Sequence, residues 1–381
     1  MTPRLKDWLR PVLVLTLWVG SYLVPKRKSY LAFLAGHDKG KFDGNLKWLN
    51  LYLQQTAPEI DTVWLTDNTR VATELKRRNI PFKKYKLFPI WPILRAQTIF
   101  IDTRHYSLGA GRFSIVQLWH GTGFKSMTAA SAFKSRLKAA LGRNHYSKYV
   151  LVSTTSANDT KEKEVMFGGT NNHATGYPRN DIFFGGIFDK QKYKEEIGVA
   201  RFEKLVVYAP TFRDHGEFEP FSDGMWKRIN QLMVNRNELF IVKKHPGDKK
   251  LQVPPGLSNT VDMTADIKDV QELLAASDVL ITDYSTIVTD YALSRKPAIF
   301  YTFDLAEYRA HSRPLTEDFD NVLPGPFAND EEELFALLED ASWFHDAAYQ
   351  DKYSRFVSHY HTHQDSGSCR RVMEHVMDDK G

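Results

Sequence analysis

Four short apolar runs in this sequence end in side chains that can bind phosphate or exchange protons. The endings are Trp119-His120-Gly121-Thr122, Pro210-Thr211-Phe212-Arg213, Lys244-His245-Pro246 and Asp283-Tyr284-Ser285-Thr286. Histidine changes its protonation near neutral pH, and the planar guanidinium of arginine pairs with two phosphate oxygens at once. Residues of these types at four strand-like ends predict a cleft that holds a diphosphate.

Each of these signals also has an ordinary structural explanation. A histidine after a strand is often only packed or hydrogen-bonded, and Ser-Thr before a helix is often only a cap. Glycine at Gly121 permits close backbone approach, and Lys125 adds positive charge nearby. The recurrence of such residues after four runs is what favours a ligand site over four unrelated packing details.

The segment after Asp283 predicts a helix whose beginning suits an anion. Ser285 and Thr286 are expected to cap a helix covering about Ile287–Ser294, whose unpaired N–H groups and positive dipole end can receive a phosphate. Asp290, one helical turn beyond Thr286, lies on the same helix face and is expected to reach a ribose hydroxyl.

Short apolar runs alternate along the chain with stretches long enough for helices. The predicted strands are Tyr30–Leu34, Thr62–Leu65, Thr98–Ile101, Ile115–Leu118, Tyr149–Ser153, Leu205–Ala209, Leu239–Lys243, Val279–Thr282 and Ala298–Tyr301. Their apolar residues are consecutive, as is typical of parallel strands covered by helices on both faces. Since open α/β sheets bind ligands at the carboxyl ends of their strands, the four endings fall where a site is expected.

The composition supports two folded domains. The chain has 381 residues, of which 42% are hydrophobic and 25% are charged, so it is neither disordered nor a single small domain. Its single cysteine, Cys369, excludes an internal disulfide and a cysteine-rich zinc site. A cytosolic or cytosol-facing protein fits this cysteine usage.

Basic residues are concentrated in two stretches that contain no acidic residue. Leu75–Ile101 has seven Lys or Arg residues, and residues 121–150 have six. Both stretches interleave these bases with apolar side chains, which suits an anionic membrane surface. A solvated protein face is the plain alternative. Nucleic acid would attract the same charges, but no recognisable nucleic-acid motif accompanies them, so it is not expected as a partner.

The N-terminal segment contains an apolar run, Pro11–Val24, preceded by basic residues. No small-residue cleavage site follows it, which argues against a signal peptide. About 14 apolar residues are also fewer than the roughly 20 needed to cross a bilayer. We expect residues 1–24 to form an interfacial helix or a helix docked on the protein.

Six groups of residues carry a resemblance to a known family. They are Phe42–Lys47, Trp119–Thr122 with Lys125, Tyr208–Arg213, His245-Pro246, Leu280–Thr286 with Lys296-Pro297 and Phe300-Tyr301, and Gly367-Ser368 with Arg370. In this order they resemble the motifs of the CDP-glycerol:glycerophosphotransferase family, the teichoic-acid primases and polymerases and related capsule-polymer enzymes. The resemblance runs from about residue 28 to 375. Gly123 stands where many members have proline, and Thr286 replaces a second serine.

The resemblance implies a glycosyltransferase-B-like α/β fold with two facing Rossmann-like domains and parallel sheets. The implied organisation is a membrane-interface segment (1–27), an N-terminal acceptor and membrane domain (28–180), a C-terminal CDP-donor domain (181–358), and a C-terminal segment (359–381) that packs back toward the N-terminal domain. Because the acceptor of such enzymes is lipid-linked, peripheral attachment to the cytoplasmic face of the cell membrane is implied. The residues expected to contact membrane or acceptor are Lys83, Lys84, Lys86, Trp91, Lys125, Lys134, Arg136 and Lys138.

The implied reaction is attack by an acceptor hydroxyl on the distal phosphorus of CDP-glycerol, with release of CMP. His120 is the expected general base, while His245 either stabilises phosphate charge or protonates CMP. The remaining residues expected to bind the donor are Gly121, Thr122, Thr211, Arg213, Asp283, Ser285, Thr286 and Asp290. The expected acceptor is a lipid-linked saccharide or a polyol phosphate.

Three alternatives stay open at this stage. The donor could be CDP-ribitol, the enzyme could be a nucleotide-sugar transferase of the same architecture, or the chain could be a non-catalytic polyanion-binding protein. No cofactor is expected to be required, and Mg²⁺ is compatible with the reaction although no pattern indicates it. His359, His361 and His363 alternate as metal ligands on a strand would, but a solvated terminal segment is the preferred interpretation, so no metal site is predicted.

Overall fold

The computed structural model describes residues 3–36, 39–85, 88–122, 145–169, 171–213, 218–245, 247–312, 315–316, 319 and 321–378. The chain divides into two compact units. The first comprises Met1–His120, Met127–Asp181 and Gly367–Gly381, and the second comprises Gly121–Ser126 and Ile182–Ser366. The return to the first unit falls at Gly367, not at residue 359, because the helix through Tyr360 packs in the core of the second unit.

The first unit is built on a seven-stranded sheet in which every pairing is parallel. Its order is β3-β2-β1-β4-β5-β6-β7. The strands are β1 (Tyr30–Leu34), β2 (Asp61–Thr66), β3 (Phe82–Lys84), β4 (Thr98–Ile101), β5 (Ser114–Gln117), β6 (Tyr149–Ser153) and β7 (Asn172–His173). The strand order reverses direction between β1 and β4, which is the switch point of a Rossmann-like sheet.

Helices cover both faces of this sheet. They are α1 (Pro3–Leu23), α2 (Gly44–Thr56), α3 (Thr69–Arg77), α4 (Ile90–Arg95), α5 (Ala157–Phe167) and, from the chain end, α13 (Ser368–Asp378). The residues of β1 alternate between the two cores, with Leu31 and Phe33 in one and Ala32 and Leu34 in the other. Because both faces are buried, every position of the strand is apolar.

The second unit repeats the same topology with six parallel strands. Their order is β10-β9-β8-β11-β12-β13. The strands are β8 (Leu205–Tyr208), β9 (Leu239–Val242), β10 (Thr260–Asp262), β11 (Val279–Thr282), β12 (Ala298–Tyr301) and β13 (Phe327–Ala328). Its switch point lies between β8 and β11, the two strands that precede Thr211 and Asp283.

The helices of the second unit begin at short polar side chains in most cases. They are α6 (Lys190–Glu196), α7 (Asp223–Asn235), α8 (Val270–Ala276), α9 (Ile287–Tyr291), α10 (Leu305–His311), α11 (Glu331–Glu339) and α12 (Ala347–Tyr360). Ser222 accepts a hydrogen bond from the N–H of Met225, and Asp330 accepts one from Glu333. Each such cap satisfies a backbone donor that the helix itself leaves unpaired.

The two parallel-sheet α/β units confirm the predicted fold class, and all nine predicted strands are present. The short strands β3, β7, β10 and β13 were not predicted. Each has two or three residues, and all four lie at the outer edges of the sheets. Edge strands of this length carry too little apolar pattern to be read from sequence.

The N-terminal apolar run forms α1, which is docked on the first unit. Leu17 is fully buried in the core of that unit, while Val12, Leu15, Trp18 and Tyr22 are each at least half exposed. Among the described residues, no helix is long and apolar enough to cross a membrane.

Candidate active site

The switch point of the second unit brings together the ends of β8 and β11. The backbone N–H of Thr211 donates to both carboxylate oxygens of Asp283, at 2.9 and 3.0 Å. The hydroxyl Oγ1 of Thr211 is buried and has no hydrogen-bond partner within the described ranges. A buried hydroxyl without a partner is costly, so this atom is poised to bond a ligand.

Arg213 lies at the centre of a buried charge network. Its Nε and one terminal nitrogen donate to Asp304 at 2.7 and 3.0 Å, and the same terminal nitrogen contacts Asp283 at 2.8 Å. The other terminal nitrogen donates to the carbonyl of Thr211 at 2.6 Å. The guanidinium of Arg213 was expected to bond phosphate, but it makes its paired hydrogen bonds to Asp304. A buried cation is stable only when its N–H donors have acceptors, and here two carboxylates supply them.

Aromatic rings surround the same guanidinium. Its Cζ lies 4.8–4.9 Å from the ring centroids of Phe218, Tyr284 and Tyr308. Burial would lower the pKa of Arg213, but Asp283 and Asp304 raise it above its ordinary value. Arg213 therefore ties the loop after β8 to the loops after β11 and β12. Asp304 was not predicted from the sequence, although it also follows a strand.

The predicted helical segment Ile287–Ser294 is present, but the expected side-chain cap at Thr286 is not. Thr286 stands at the N-cap position with helical backbone angles and makes no side-chain cap hydrogen bond. Helix α9 ends at Tyr291 and continues as a short 3₁₀ segment, Ala292–Ser294. The helical φ and ψ of Thr286 explain the missing bond, since capping side chains need an extended backbone. Both residues are half-buried.

Helix α9 is fixed from two directions. The Oγ1 of Thr289 lies 3.4 Å from the carbonyl of Thr122, and an added Cβ at Gly121 would be in ordinary van der Waals contact with the Thr286 hydroxyl oxygen, at 3.8 Å. On the other side, Nε2 of His361 lies 2.7 Å from the carbonyl of Thr289. His361 is buried, so the interpretation of the three histidines as solvated is wrong for His361, whereas His359 and His363 are half-buried.

Asp290 points into the protein interior. Its residue is only 3% exposed, which contrasts with the half-buried Ser285 and Thr286 one turn earlier. Asp283 is equally buried and is occupied by Thr211 and Arg213. Asp283 thus joins the loops after β8 and β11, and contact of the buried Asp290 with a ribose would require a change of its surroundings.

His245 follows β9 and is exposed. The backbone N–H of Gly247 donates to its Nδ1 at 3.1 Å, and its ring packs on Phe212 with centroids 5.2 Å apart. Because Nδ1 accepts this bond, the proton of the neutral ring lies on Nε2. His245 therefore presents an N–H donor.

His120 follows β5 in the first unit with the opposite arrangement. Its Nδ1 lies 2.9 Å from the carbonyl oxygen of Asp102. A carbonyl only accepts, so Nδ1 carries the proton and Nε2 of the neutral ring holds the lone pair. The ring is exposed and stacks on Trp119, with centroids 4.1 Å apart. This is the protonation pattern of a general base.

The backbone that presents His120 is strained and held by buried groups. Trp119 has φ +51°, an unfavourable value for a residue with a Cβ. Its N–H donates to Oε1 of Gln117 at 2.9 Å, and Asn45 Nδ2 donates to its carbonyl at 3.0 Å. Arg179 donates to the carbonyl of His120 at 2.9 Å.

Gln117 is the polar residue that ends strand β5. It is fully buried, and its Nε2 donates to the Thr103 carbonyl at 3.1 Å and to Tyr149 Oη at 3.3 Å. Sequence reasoning missed Gln117 and Arg179. A glutamine inside an apolar run, three residues before His120, was the available signal.

The expected membrane and acceptor residues divide into two groups. Lys83 and Lys84 are exposed on the edge strand β3, where lysine also discourages pairing between molecules. Trp91 is 60% exposed on α4, with the Arg95 guanidinium 5.8 Å from its ring. The others lie outside the described residues: Lys86, Lys125, Lys134, Arg136 and Lys138.

Acidic residues, histidines and the cysteine form no metal-binding group of three or more within the part of the chain that the structure describes. The three alternating histidines are not on a strand. Helix α12 continues to Tyr360 and so includes His359, and the ring of His361 contacts the carbonyl of Thr289 in α9.

Comparison with known proteins identifies the relatives of this chain. The family model described as CDP-Glycerol:Poly(glycerophosphate) glycerophosphotransferase matches residues 19–378. The teichoic acid ribitol-phosphate polymerase TarL of Staphylococcus aureus is 26% identical over 92% of this chain and 63% of its own length. The teichoic acid glycerol-phosphate primase of Bacillus spizizenii is 26% identical over 68% of each chain. The chain thus spans less than two thirds of the first of these relatives.

Among solved structures, the wall teichoic acid polymerase TagF is similar over 99% of this chain and 94% of that chain, with a TM-score of 0.77 and 20% identity. At that identity the likeness establishes a shared fold of two parallel-sheet α/β domains.

Proposed function

The chain belongs to the CDP-glycerol:poly(glycerophosphate) glycerophosphotransferase family, and we propose that it transfers glycerol phosphate from CDP-glycerol to a hydroxyl of a lipid-linked acceptor. The product is a phosphodiester of a teichoic-acid-like polymer, and CMP leaves. The observation that carries the proposal is the family match over residues 19–378. The opposite hydrogen bonding of His120 and His245 supports it, because the reaction needs both a proton acceptor and a donor.

His120 is the general base in this proposal. An alcohol is a weak nucleophile at neutral pH, so removal of its proton as the bond to phosphorus forms lowers the barrier. Nε2 takes this proton, and the Asp102 carbonyl bonded to Nδ1 stabilises the resulting imidazolium. The hydrogen bond at Nδ1 also fixes the plane of the ring.

His245 is the proposed proton donor to the leaving group, CMP. Its Nε2–H donates to the oxygen between CMP and the transferred group, and protonates that oxygen as CMP departs. Thr211 Oγ1, which has no partner among the described residues, and the hydroxyls of Ser285 and Thr286 bond the phosphate oxygens. Arg213 positions these loops through its two carboxylates rather than by touching phosphate. Thr122 supports α9 through its carbonyl, and Gly121 lies beside Thr286.

The proposed place of action is the cytoplasmic face of a membrane, with peripheral attachment. The apolar side chains exposed on α1, together with Trp91, form an amphipathic surface beside basic residues. Aromatic residues of this kind favour the boundary between headgroups and acyl chains. No cofactor is part of the proposal.

A ribitol phosphate donor is the second candidate. Its support is specific, because the three relatives TarL, TarK and a polymerase of Bacillus spizizenii are all ribitol-phosphate polymerases. CDP-glycerol is favoured by the description of the family model.

The test is release of CMP from CDP-glycerol and, in parallel, from CDP-ribitol, with a lipid-linked disaccharide or its glycerophosphate-primed form as acceptor. We expect CDP-glycerol to be used, with each transfer adding one glycerol phosphate to the product mass. Preference for CDP-ribitol would show that the donor is CDP-ribitol and not CDP-glycerol. Consumption of nucleotide sugars instead of either CDP-alcohol would refute the proposed reaction.

The base assignment is tested with His120→Ala. Turnover should be lost, whereas calorimetric affinity for CDP-glycerol should stay within a few-fold of the unchanged protein. An equal loss of donor affinity would show that His120 binds the donor and is not the base.

A further inference from the structure

A pocket lies in the first unit beside α1, separate from the residues assigned above to catalysis. It has a volume of about 600 Å³. The residues that line it are Ser21, Tyr22, Val24, Lys26, Gln97, Arg112, Phe113, Ser114 and Lys148. Three of them are cations and none is acidic. A pocket with this charge attracts an anion.

Lys26 supplies the sharpest evidence for an anion in this pocket. Its Nζ is inaccessible to solvent and has no hydrogen-bond partner among the described residues. It lies 4.5 Å from the ring centroid of Phe113. An ammonium that is buried without an acceptor is unfavourable. Burial, together with the nearby charge of Arg112, lowers the pKa of Lys26 to about 8.

The polar walls of the pocket are held in place by the docking of α1. Ser21 Oγ accepts a hydrogen bond from the backbone N–H of Arg112 at 3.0 Å and donates to the carbonyl of Trp18 at 2.8 Å. The Arg112 guanidinium lies 5.5 Å from the ring centroid of Tyr22. Cations, hydroxyls and an amide side chain thus surround one space.

The position of the pocket identifies the source of the anion. The same turn of α1 that contributes Tyr22 also exposes apolar surface, since Tyr22 is 60%, Leu23 75% and Trp18 51% exposed. A bilayer that receives these side chains would bring lipid headgroups to the depth of the pocket. Phosphate is the anion that every glycerophospholipid presents there.

We propose that this pocket binds the phosphate group of an anionic phospholipid and so fixes the depth and orientation of the protein on the membrane. Lys26 and Arg112 bond the phosphate oxygens, Lys148 adds charge, and the acyl chains run along the exposed face of α1. The proposal rests on the membrane attachment in the proposed function, but it adds a defined lipid site to the general attraction of basic residues for an anionic surface.

The direct test measures binding without nucleotide or acceptor. Short-chain phosphatidylglycerol, kept below its micellar concentration, is titrated into the whole protein and compared with short-chain phosphatidylcholine and inorganic phosphate. We expect phosphatidylglycerol to bind best. Lys26→Gln should weaken its binding roughly tenfold, the effect of one charge-assisted hydrogen bond. Lys161→Gln, which removes one exposed charge from α5, should have no effect.

Three results would overturn the proposal. Equal weakening by Lys161→Gln would mean attraction by net charge alone. Equal binding of phosphatidylcholine would mean that the apolar face of α1 accounts for binding. Inorganic phosphate bound as tightly as phosphatidylglycerol would make the pocket a site for a free anion.

The pH dependence of binding gives an independent check. A bound anion raises the pKa of Lys26, so affinity for phosphatidylglycerol should fall as the pH rises above about 8. Arg112, Lys148 and Tyr22 are the other ionisable groups that line the pocket. In Lys26→Arg the side chain remains charged, and the fall should disappear. An unchanged fall would assign the titration to another group and refute the role of Lys26.

Failure of this inference is distinguishable from failure of the proposed function. Transferase activity without selectivity for phosphatidylglycerol would refute the lipid site only. Selective lipid binding without CMP release would refute the transferase only.

Discussion

Gln117→Met tests whether a buried amide presents the catalytic histidine. Methionine has nearly the volume of glutamine but makes none of the three side-chain hydrogen bonds of Gln117. The substitution removes the acceptor of the Trp119 N–H, a bond of 2.9 Å. The left-handed backbone of Trp119, with φ +51°, is then supported by fewer contacts.

The expected size of the effect follows from two contributions. A left-handed backbone costs roughly 1–2 kcal/mol for a residue with a Cβ, and the lost hydrogen bond contributes about 1 kcal/mol. Relaxation of Trp119 would therefore be favoured by about 2–3 kcal/mol, or roughly 30- to 150-fold in population. Bonds from Asn45 and Arg179 to the same segment remain, so we expect kcat to fall between about tenfold and about a hundredfold.

The assay is steady-state CMP release, with kcat and KM for CDP-glycerol determined separately. KM should change little, because Gln117 lies in the first unit and the residues proposed to bind the donor lie in the second. Gln54→Met is a suitable control, since Gln54 also donates a side-chain hydrogen bond, to Thr62 at 2.8 Å. Unchanged kcat despite a lower melting temperature would show that Gln117 is structural only, and a change confined to KM would also refute the reasoning.

Three further predictions concern buried ionisable groups. In Arg213→Lys the ammonium cannot make the paired hydrogen bonds to the two carboxylates. The free energy of unfolding should therefore fall by about 2–4 kcal/mol in denaturant titrations, and CDP-glycerol should bind more weakly in calorimetry. An unchanged affinity for CDP-glycerol would contradict a positioning role. Lys163→Met leaves the buried Asp159 without its 2.7 Å partner, which should cost about 3–5 kcal/mol, and adding Asp159→Asn should restore part of this loss in the same titration. Burial lowers the pKa of His145 to about 3, so the unfolded chain binds the proton first and stability should fall as the pH drops below about 6.5; His145→Gln should flatten that part of a melting-temperature profile, and an unchanged slope would assign it elsewhere.

The fold could be predicted from the sequence because the central strands have a distinctive residue pattern. Consecutive apolar residues such as Val279–Thr282 and Ala298–Tyr301 allow few alternatives to a buried parallel strand. The strand β3 was instead hidden in a basic stretch, because its lysines 83 and 84 look like membrane-binding residues and not like a sheet edge.

The site was predictable in position but not in its hydrogen bonding. Strand ends and polar residues placed His120, His245 and Arg213 where ligands bind in such sheets. Whether Arg213 meets phosphate or Asp304 depends on a partner 91 residues away, and whether a ring nitrogen carries its proton depends on a backbone atom of another loop. A local sequence pattern does not reveal which residues pair over such distances along the chain.

Cys369 makes the chain convenient for chemical labelling. The only cysteine of the sequence is 2% exposed, and burial beside Asp181 raises the pKa of its thiol. Because thiolate is the form that reacts with maleimides, the folded protein should be nearly inert to them. A cysteine introduced at Trp18 or Trp91 would then carry a fluorophore or spin label alone, so that the immersion of that one position in a bilayer can be read without first deleting the native thiol.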